Sequence, residues 1–476
     1  MAFSPDSIIF IVFLFVVVLT FHALQGYKTK LAVIVIANVV FYISFGLFYF
    51  FIHLLLVALA YTLAIFAGSM KQKKVYKIAA ASLLLLPLLL FKTGVGELVL
   101  NLSGPAATGS WTEAVQWVPV GLSFYTFTLV GYVSDVYNGY VPPEKNLFRL
   151  LAFAGYFPTI LAGPIERSRS LLKQLKGPFP ETTPTQINQG ILWLFWGIFK
   201  KKVIANNIAF VINPVFADPA SFSGFVLYVT ALLFVVQIFA DFSAYSDIAT
   251  GAASMMGIRV MPNFHPAIFA SPSRNIYWKQ WHISLTTWFR DYVYYPLSKG
   301  KKAAAVLYFN LVFVFLLTGL WHGLSSAFIL WGVLNGLLLT GEQWFIKWRK
   351  KRLPALEQNR IIQALYFGIG ILITFHFSAF FGILFRMETL ANVINFMHAF
   401  GNRTSVMPLS VNRNIAIISF ALVAMAILTR KINAKNPYYF YWLFTNKQIW
   451  IVIFLLISLI LYLGYDGKIA FYYFRF

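Results

Sequence analysis

Apolar runs alternate with short basic segments along the whole chain. A run of roughly 20 apolar residues is long enough to cross a bilayer as a helix. The sequence predicts twelve such spans, at about residues 8–25, 31–45, 48–69, 78–91, 115–137, 190–215, 225–248, 303–320, 326–346, 361–385, 413–430 and 447–465. Lys200–Lys202 interrupts the span at 190–215, and we expect this span to break there into two pieces at the cytoplasmic face.

Two further apolar stretches are broken by proline and glycine and fit no simple span. They are "YFPTILAGPIERSRS" (156–170) and "MPNFHPAIFASPSRNIYW" (261–278). Irregular backbone survives at membrane depth only where it is buried in protein or lines a cavity. We therefore expect both stretches to be re-entrant or interfacial.

The segment at 275–302 carries a stripe of large apolar residues. The stripe residues are spaced three or four apart, as on one face of a helix: Trp278, Trp281, Leu285, Trp288 and Tyr292. This pattern predicts a single amphipathic helix near the cytoplasmic interface. His282 follows Trp281 and would lie on the apolar side of this helix.

The composition is that of an integral membrane protein. Of the 476 residues, 59% are hydrophobic and 11% are charged, whereas a soluble domain has about 45–50% and about 25%. The sequence predicts an all-α membrane protein of about 11–12 transmembrane helices plus re-entrant or interfacial helices. No polar stretch reaches the roughly 50 residues of a separate domain, so we expect residues 1–476 to form one transmembrane domain. The first span, Ile8–Leu24, lacks the flanks of a signal peptide, and we expect it to be retained.

The net charge of +23 reflects membrane topology. Lysine and arginine enriched in short loops mark the cytoplasmic side of a membrane protein. The basic clusters lie between the apolar runs, at Lys71–Lys77, Arg167–Lys176, Lys200–Lys202, Lys299–Lys302, Lys347–Arg352 and Arg430–Lys435. With twelve crossings this arrangement predicts both termini outside, and we expect no nucleic-acid partner.

The residue inventory excludes several kinds of catalysis. The chain has no cysteine, which removes disulfides, thiolate metal sites and a cysteine acyl-enzyme. The sequence contains neither a Gly-x-Ser-x-Gly nucleophile elbow nor a His-Glu-x-x-His metal motif. Histidines therefore become the leading candidates for chemistry.

The dipeptide Trp-His occurs twice, at Trp281-His282 and at Trp321-His322 within "LTGLWHGLSS". With 13 tryptophans and 7 histidines in the chain, even one such pair is unusual by chance. A titratable ring at membrane depth is costly and commonly functional, and imidazole titrates near neutral pH. Taken alone, each histidine is also compatible with a hydrogen-bonded core residue.

Five motifs together resemble the membrane-bound O-acyltransferase superfamily, and within it the bacterial branch of alginate O-acetylation. The motifs are "GLSFYTFTLVGYVSDVY" (121–137), "FPTILAGPIERS" (157–168), "DFSAYSDIATG" (241–251), "RNIYWKQWHISLTTWFRDYVYYPL" (274–297) and "LLTGLWHG" (316–323). They appear in order within residues 115–350, which would form the motif-bearing core.

The resemblance implies roles for individual residues. In that superfamily the histidine of the Trp-His-Gly motif is catalytic, and it corresponds to His322. The second histidine that the family shares corresponds to His282. A central funnel holds the substrates, and we expect its channel to involve Trp321, Trp281, Asn263, Asp241 and Asn335. For Asp241 the alternative is a structural hydrogen-bond network between helices.

The expected chemistry is acyl transfer to an alcohol, with His322 as the base. The donor would be acetyl-CoA or another acetyl thioester made in the cytosol, with no bound cofactor and no metal. A helix over 303–320 rises about 1.5 Å per residue and would carry His322 towards the outside. His282 would lie at the inner interface, so the two histidines would mark a path through the protein.

The resemblance also implies the biological setting. We expect a multi-pass protein of the bacterial cytoplasmic (inner) membrane that supplies acetyl groups for O-acetylation of an exopolysaccharide or cell-wall polymer. Its partners would be membrane lipid, the acyl donor and an extracytoplasmic SGNH-like O-acetyltransferase, with polysaccharide as the indirect acceptor. Two alternatives stay open: D-alanyl transfer to a teichoic acid-type polymer, and a polysaccharide transporter without chemistry.

The C-terminal tail "GKIAFYYFRF" (467–476) is unusually aromatic for a chain end. An interfacial aromatic belt is one interpretation. The resemblance implies another, because related systems carry a similar tail whose tyrosine accepts the acyl group. The matching residue is Tyr473, and the flanking Phe471, Phe474 and Phe476 would hold it in the funnel.

Overall fold

The computed structural model describes residues 3–67, 73–93, 119–301, 303–354, 359–402, 446–465, 467 and 469–475, and these residues form helices and connecting segments without strands. The helices are α1 (Ile8–Ala23), α2 (Tyr27–Ile43), α3 (Leu47–Phe66), α4 (Lys73–Lys92), α5 (Leu122–Tyr137), α6 (Leu147–Ala154), α7 (Pro184–Phe199), α8 (Asn206–Ala217), α9 (Gly224–Met255), α10 (Arg274–Trp278), α11 (Ile283–Phe289), α12 (Tyr295–Ser298), α13 (Ala304–His322), α14 (Ser326–Arg352), α15 (Arg360–Met387), α16 (Leu390–His398) and α17 (Asn446–Leu463).

The helices confirm the predicted all-α membrane fold. Every predicted span coincides with one or two helices, except 413–430, which lies outside the described residues. By length and composition, five described helices could cross a membrane: Leu47–Phe66, Lys74–Lys92, Gly224–Met255, Ala304–His322 and Arg360–Met387. The apolar helices Ile8–Ala23 and Lys447–Leu463 are shorter.

The burial pattern separates a central helix from outer ones. Every residue of α5 is buried. The outer helices instead expose large apolar side chains, among them Leu55 at 68%, Ile361 at 73% and Leu461 at 80%. Such apolar exposure is unfavourable in water and favourable against lipid tails. A bundle of this kind buries α5 and its neighbours in protein and leaves the outer helices for the membrane.

Helices α7 and α9 approach each other closely at glycines. A Cβ on Gly190 would lie 2.8 Å from the Gly251 carbonyl oxygen, and a Cβ on Gly251 would lie 2.6 Å from that of Gly190. Small residues at such contacts let helix backbones meet in a membrane protein. A capping box formed by Thr183 and Gln186 starts α7.

The span at 190–215 consists of two α-helices, but Lys200–Lys202 does not form the basic loop that the sequence predicts between them. These residues belong to a π-helical turn, Lys200–Ala205, that joins α7 directly to α8. Lys200 and Lys201 are buried against α9 rather than lying in a basic loop. Two aspartates of α9, Asp247 and Asp241, pair with them and compensate the cost of burying their charge.

The single amphipathic helix predicted over 275–302 is also wrong. The chain leaves helical geometry after Trp278 and re-enters it at Ile283. Backbone hydrogen bonds to another segment replace the helical ones, because His265 N–H donates to Gln280 O at 3.0 Å and Ile283 N–H donates to Asn263 O at 2.8 Å. The buried positions of Trp278, Trp281 and Trp288 are nevertheless those that the aromatic stripe predicts.

The two proline- and glycine-broken stretches are irregular, as expected. Residues 156–167 form no helix and are buried. Residues 261–273 form an irregular segment with one short 3₁₀ turn at Pro266–Ala270. This segment is the one that pairs with the backbone on both sides of Trp281.

Candidate active site

His282 occupies a strained position between α10 and α11. Its backbone has φ 43° and ψ 53°, in the left-handed region that a side chain other than glycine adopts only rarely. The hydrogen bonds from the neighbouring segment at 263–265 hold this geometry. Strain of this kind persists where the surrounding structure enforces it, and it clusters at functional sites.

Asn263 fixes which nitrogen of His282 carries the proton. The Asn263 Oδ1 atom lies 3.0 Å from His282 Nδ1 and also accepts hydrogen bonds from the Ser284 N–H at 3.3 Å and the Ser284 hydroxyl at 2.8 Å. A backbone N–H can only donate, so the atom between these groups is the amide oxygen. His282 therefore donates through Nδ1 and keeps a lone pair on Nε2.

The ring of His282 is neutral. It lies outside the membrane-spanning helices, and burial lowers its pKa to about 3. Among the described residues Nε2 has no hydrogen-bond partner. The ring thus presents an acceptor to its surroundings.

His322 lies at the end of α13 and is held by aromatic rings. The nearest rings have centroids at 4.8 Å (Trp321), 4.8 Å (Phe385) and 5.3 Å (Trp331). Helix α13 packs tightly on α14 there, because a Cβ on Gly319 would lie 2.3 Å from the Phe328 carbonyl oxygen. The helix pair thereby presents His322 to the interior, where it is 5% exposed.

Tyr473 lies between the two histidines. Its ring centroid is 6.1 Å from that of His282 and 6.1 Å from that of His322. Phe242 of α9 stacks on it at 3.6 Å, and the side chain is 2% exposed. The structure thus brings together all three predicted catalytic residues, although they are far apart in the sequence. The expectation that the two histidines lie at separate points of a path through the protein is wrong, because both line one cavity.

The phenol of Tyr473 is protonated in this environment. Burial, reinforced by Tyr277, Tyr472 and Asp241, raises its pKa well above the usual value. Nucleophilic attack by this hydroxyl consequently requires a base to remove its proton.

A large cavity reaches the histidines from one side. It encloses about 490 Å³, and its wall includes Arg290, Tyr295, Trp281, His282 and His322. Arg290 and Tyr295 belong to the segment that the sequence predicts to lie near the cytoplasmic interface. The cavity is wide enough for a small acyl group and the chain that carries it.

A second, smaller cavity of about 50 Å³ borders Tyr473. Arg274 and Tyr277 line it, together with Trp281, which lines both cavities. The Arg274 guanidinium donates to Asn335 Oδ1 and to Ser378 Oγ, each at 2.7 Å. Nothing in the sequence singled out Arg274, because an arginine near an interface ordinarily indicates topology.

The remaining predicted channel residues lie behind these walls. Trp321 packs against His282 with centroids 6.0 Å apart, Asn263 bonds to His282, and Asn335 bonds to Arg274. Asp241 pairs with Lys201 and accepts a hydrogen bond from the Tyr472 N–H at 2.7 Å. Each of them contacts a residue of the site or the backbone beside it.

The described part of the tail is buried in the protein, as the resemblance implies, and does not form an interfacial aromatic belt. Tyr472–Arg475 form a short 3₁₀ turn, and Phe471 and Tyr472 are 1% and 5% exposed. The Tyr472 hydroxyl donates to Phe385 O at 3.4 Å. The side chain of Phe474 and all of Phe476 lie outside the described part of the chain, so their predicted packing stays a prediction.

Comparison with known proteins gives a family match. The model of the family described as "MBOAT, membrane-bound O-acyltransferase family" matches residues 142–386. This range contains both histidines and ends at Arg386, before the tail.

Curated bacterial proteins are similar to about half of this chain. The probable alginate O-acetylase AlgI of Pseudomonas fluorescens is 39% identical over 228 residues, which are 48% of this chain and 45% of that protein. The teichoic acid D-alanyltransferase of Bacillus subtilis (strain 168) is 34% identical over 271 residues, 55% of this chain and 67% of that protein. The peptidoglycan O-acetyltransferase of Helicobacter pylori is 28% identical over 305 residues, 58% and 55% of the two chains. The chain spans about half the length of the alginate relatives that it matches.

Proposed function

The chain belongs to the membrane-bound O-acyltransferase family, and we propose that it transfers an acetyl group from a cytoplasmic thioester to its own Tyr473. The acetyl group then passes to an extracytoplasmic SGNH-like O-acetyltransferase, which delivers it to an exopolysaccharide or cell-wall polymer. The observation that carries this proposal is the position of the buried Tyr473 ring, 6.1 Å from both histidine rings.

The loading step is a transesterification. The thioester, acetyl-CoA or another acetyl thioester, enters through the large cavity that His282 and His322 line. The Tyr473 oxygen attacks the thioester carbonyl carbon, a C–O bond forms and the C–S bond breaks. His322 takes the phenol proton and returns it to the departing thiolate, which leaves as a thiol. The product, a phenyl ester, remains activated for transfer to a sugar hydroxyl.

His282 has a different role in this proposal. Its Nε2 lone pair, fixed by the bond from Nδ1 to Asn263, accepts a hydrogen bond from an N–H or O–H group of the donor. Orientation of this kind brings the carbonyl carbon within reach of the phenol oxygen, which supplies part of the rate enhancement.

Arg274 favours acetyl over D-alanyl transfer. Its cationic guanidinium lines the small cavity beside Tyr473. The ammonium group of a D-alanyl ester would meet a like charge there, at a low effective dielectric constant. An acetyl group carries no charge and fits a space of about 50 Å³. D-alanyl transfer is therefore the second candidate, supported by the similarity to teichoic acid D-alanyltransferases.

Mass spectrometry of the C-terminal peptide tests the proposal. We expect purified protein incubated with acetyl-CoA to gain one acetyl group on Tyr473, and the Tyr473→Phe variant to gain none. Tyr472→Phe is the matched control, because Tyr472 is a buried neighbour whose hydroxyl already bonds to Phe385 O. Acetylation of the Tyr473→Phe tail, or polymer acetylation by that variant at the wild-type rate, would refute the relay. A transporter without enzymatic activity would leave the tail unmodified in the wild-type protein as well as in the Tyr473→Phe variant.

A further inference from the structure

Two buried lysine–aspartate pairs lie side by side between the π-helical turn and α9. We call the first, Lys200 with Asp247, the helix pair; its Nζ and Oδ2 atoms lie 2.6 Å apart. We call the second, Lys201 with Asp241, the tail pair; its Nζ and Oδ1 atoms lie 2.7 Å apart, and the two side chains are 0% and 1% exposed. Desolvation makes buried pairs poor sources of stability, so a second use for such a pair is worth seeking.

The tail pair makes contacts that the helix pair does not make in the described structure. Lys201 Nζ donates to the Ala470 carbonyl oxygen at 3.1 Å, and Asp241 Oδ2 accepts from the Tyr472 N–H at 2.7 Å. The Lys201 ammonium also lies 4.4 Å from the centroid of the Phe471 ring. A donor and an acceptor on the protein thus meet a carbonyl and an N–H two residues apart in the tail.

The helix pair keeps its bonds between helices. Lys200 Nζ donates to the Ser243 hydroxyl at 2.7 Å and pairs with Asp247, both on α9. The two pairs are therefore neighbours in the sequence and alike in chemistry, and they differ in their contact with the tail.

The π-helical turn and the first residues of α8 also bind Leu463 and Tyr465, which precede the tail. The Tyr465 N–H donates to the Lys202 carbonyl oxygen at 3.1 Å. Asn206 and Asn207 donate through their side-chain amides to the carbonyl oxygens of Tyr465 and Leu463, at 3.3 and 3.0 Å. A π-helical turn leaves backbone groups without their ordinary helical partners and is often found at functional sites. Here the turn and the start of α8 contact Leu463 and Tyr465, and Lys201 of the turn contacts Ala470 of the tail.

Lys201 donates to the tail backbone and Asp241 accepts from it, and we call this pair of contacts the clamp. Because the two contacts differ in direction, they define one register of the tail. Tyr473 lies in the 3₁₀ turn, so a shift by one residue would move it by about 2 Å along the turn axis and would place other backbone groups opposite Lys201 and Asp241. Tyr473 would then leave its position between the histidines, and catalysis is sensitive to displacements of about 1 Å.

We propose that Lys201 and Asp241 are positioning residues that hold the C-terminal tail in one register and so place Tyr473 between His282 and His322. The catalytic consequence rests on the proposed function of Tyr473, whereas the docking of the tail does not. Neither residue contacts the reacting atoms.

Exchanging the charges of Lys201 and Asp241 distinguishes a clamp on the tail from an ion pair that only joins the turn to α9. The double variant Lys201→Asp with Asp241→Lys keeps a lysine–aspartate pair between the turn and α9. It places a carboxylate opposite the Ala470 carbonyl and an ammonium opposite the Tyr472 N–H, so both tail bonds are lost. The matched control is Lys200→Asp with Asp247→Lys, which reverses the neighbouring pair.

Hydrogen–deuterium exchange of the C-terminal peptide reads out docking without reference to activity. We expect the amides around Tyr472 to exchange at least about tenfold faster in the tail-pair reversal, since a charge-assisted hydrogen bond is lost. The helix-pair reversal should leave this exchange within about twofold of wild type. Unchanged exchange in the tail-pair reversal would overturn the clamp.

A milder variant covers the case in which the reversal does not fold. Asp241→Asn keeps the size of the side chain and one acceptor oxygen but cannot serve both Lys201 and the Tyr472 N–H as the carboxylate does. We expect about three- to tenfold faster exchange of the tail amides, and acetylation of Tyr473 slowed to a similar degree. Wild-type exchange in this variant would contradict the clamp.

Tail exchange and Tyr473 acetylation together distinguish failure of the clamp from failure of the relay. If the clamp is wrong but the relay is right, exchange and Tyr473 acetylation both stay at wild-type levels in the variants. If the relay is wrong but the clamp is right, tail exchange still accelerates in the tail-pair variants, and no protein, including wild type, acquires acetyl on Tyr473.

Discussion

His282 and His322 each follow a tryptophan, yet the fold holds them by different means. His282 lies in a left-handed backbone position, and an amide from another segment fixes its tautomer. His322 ends a long helix, and rings of Trp321, Trp331 and Phe385 surround it. The first histidine is oriented by hydrogen bonds to another segment, and aromatic rings enclose the second. In the proposed function this difference corresponds to a division of roles, in which His282 orients the donor and His322 moves a proton.

Replacing each histidine gives the largest expected effect and tests whether His282 and His322 have different roles. We expect His322→Ala to reduce the rate of Tyr473 acetylation about 10³-fold, because the general base is lost. His282→Ala should raise the donor concentration for half-maximal rate about tenfold and change the maximal rate less, because a hydrogen bond to the donor is lost.

Single-turnover acetylation of the tail, measured over a range of acetyl-CoA concentrations, separates the two effects. Expression and thermal unfolding of both variants control for folding. If His282→Ala were the more severe variant in maximal rate, the base would be His282 and the division of roles would be reversed.

Removing the Asn263 amide tests whether its hydrogen bond to His282 is needed for the role of this histidine. In Asn263→Ala, His282 Nδ1 and the two Ser284 donors lose their shared acceptor. We expect tail acetylation to fall roughly 10- to 100-fold at limiting donor, as for other residues that orient a functional side chain. Asn263→Asp keeps the acceptor and should recover part of the loss.

Ser246→Ala is the matched control for Asn263, because it removes only the bond from Asn263 Nδ2 to the Ser246 hydroxyl at 3.2 Å. We expect a loss below about threefold. Equal losses in Asn263→Ala and Ser246→Ala would indicate that Asn263 acts through packing rather than through the tautomer of His282.

The small cavity next to Tyr473 should set acyl preference. Arg274→Gln removes the positive charge and keeps a side-chain amide for Asn335 and Ser378. We expect the ratio of acetyl to D-alanyl loading on Tyr473 to fall roughly tenfold, since charge repulsion is removed. Arg274→Lys keeps the charge and should retain the wild-type preference. A competition between the two thioesters, read by mass spectrometry of the tail, decides between the outcomes.

The neutral state of His282 should appear in the pH dependence of stability, with the smallest effect. Its pKa is about 3 in the folded protein and 6.5 in a model peptide, so below pH 6.5 the unfolded chain binds a proton that the folded protein does not. Its contribution is present above pH 6.5 and is lost as the pH falls towards 3, by ~2 kcal/mol at pH 5. His282→Gln should therefore lose less thermal stability than wild type between pH 7 and pH 5. Equal losses would place a proton on the folded His282.

Much of the fold and part of the site follow from the sequence. Apolar runs locate the helices because lipid requires continuous apolar helices. The Trp-His pairs make His282 and His322 candidates, whereas Tyr473 becomes a candidate only through the resemblance of the tail to related systems. The breaks at Lys279–His282 and the buried Lys200 and Lys201 were not predictable in this way. Both depend on tertiary partners, the segment at 263–265 and the aspartates of α9, which local periodicity does not report.

A pulse-chase experiment on the tail decides whether Tyr473 carries the acetyl group between donor and polymer. Purified protein is loaded with labelled acetyl-CoA, and the acetyl group on Tyr473 is followed by rapid quenching before and after the extracytoplasmic transferase and polymer are added. We expect the label to appear on Tyr473 at least as fast as polymer acetylation turns over, and then to leave Tyr473 as it enters the polymer. Polymer that acquires label while Tyr473 stays unlabelled, or stays labelled throughout, would contradict the relay.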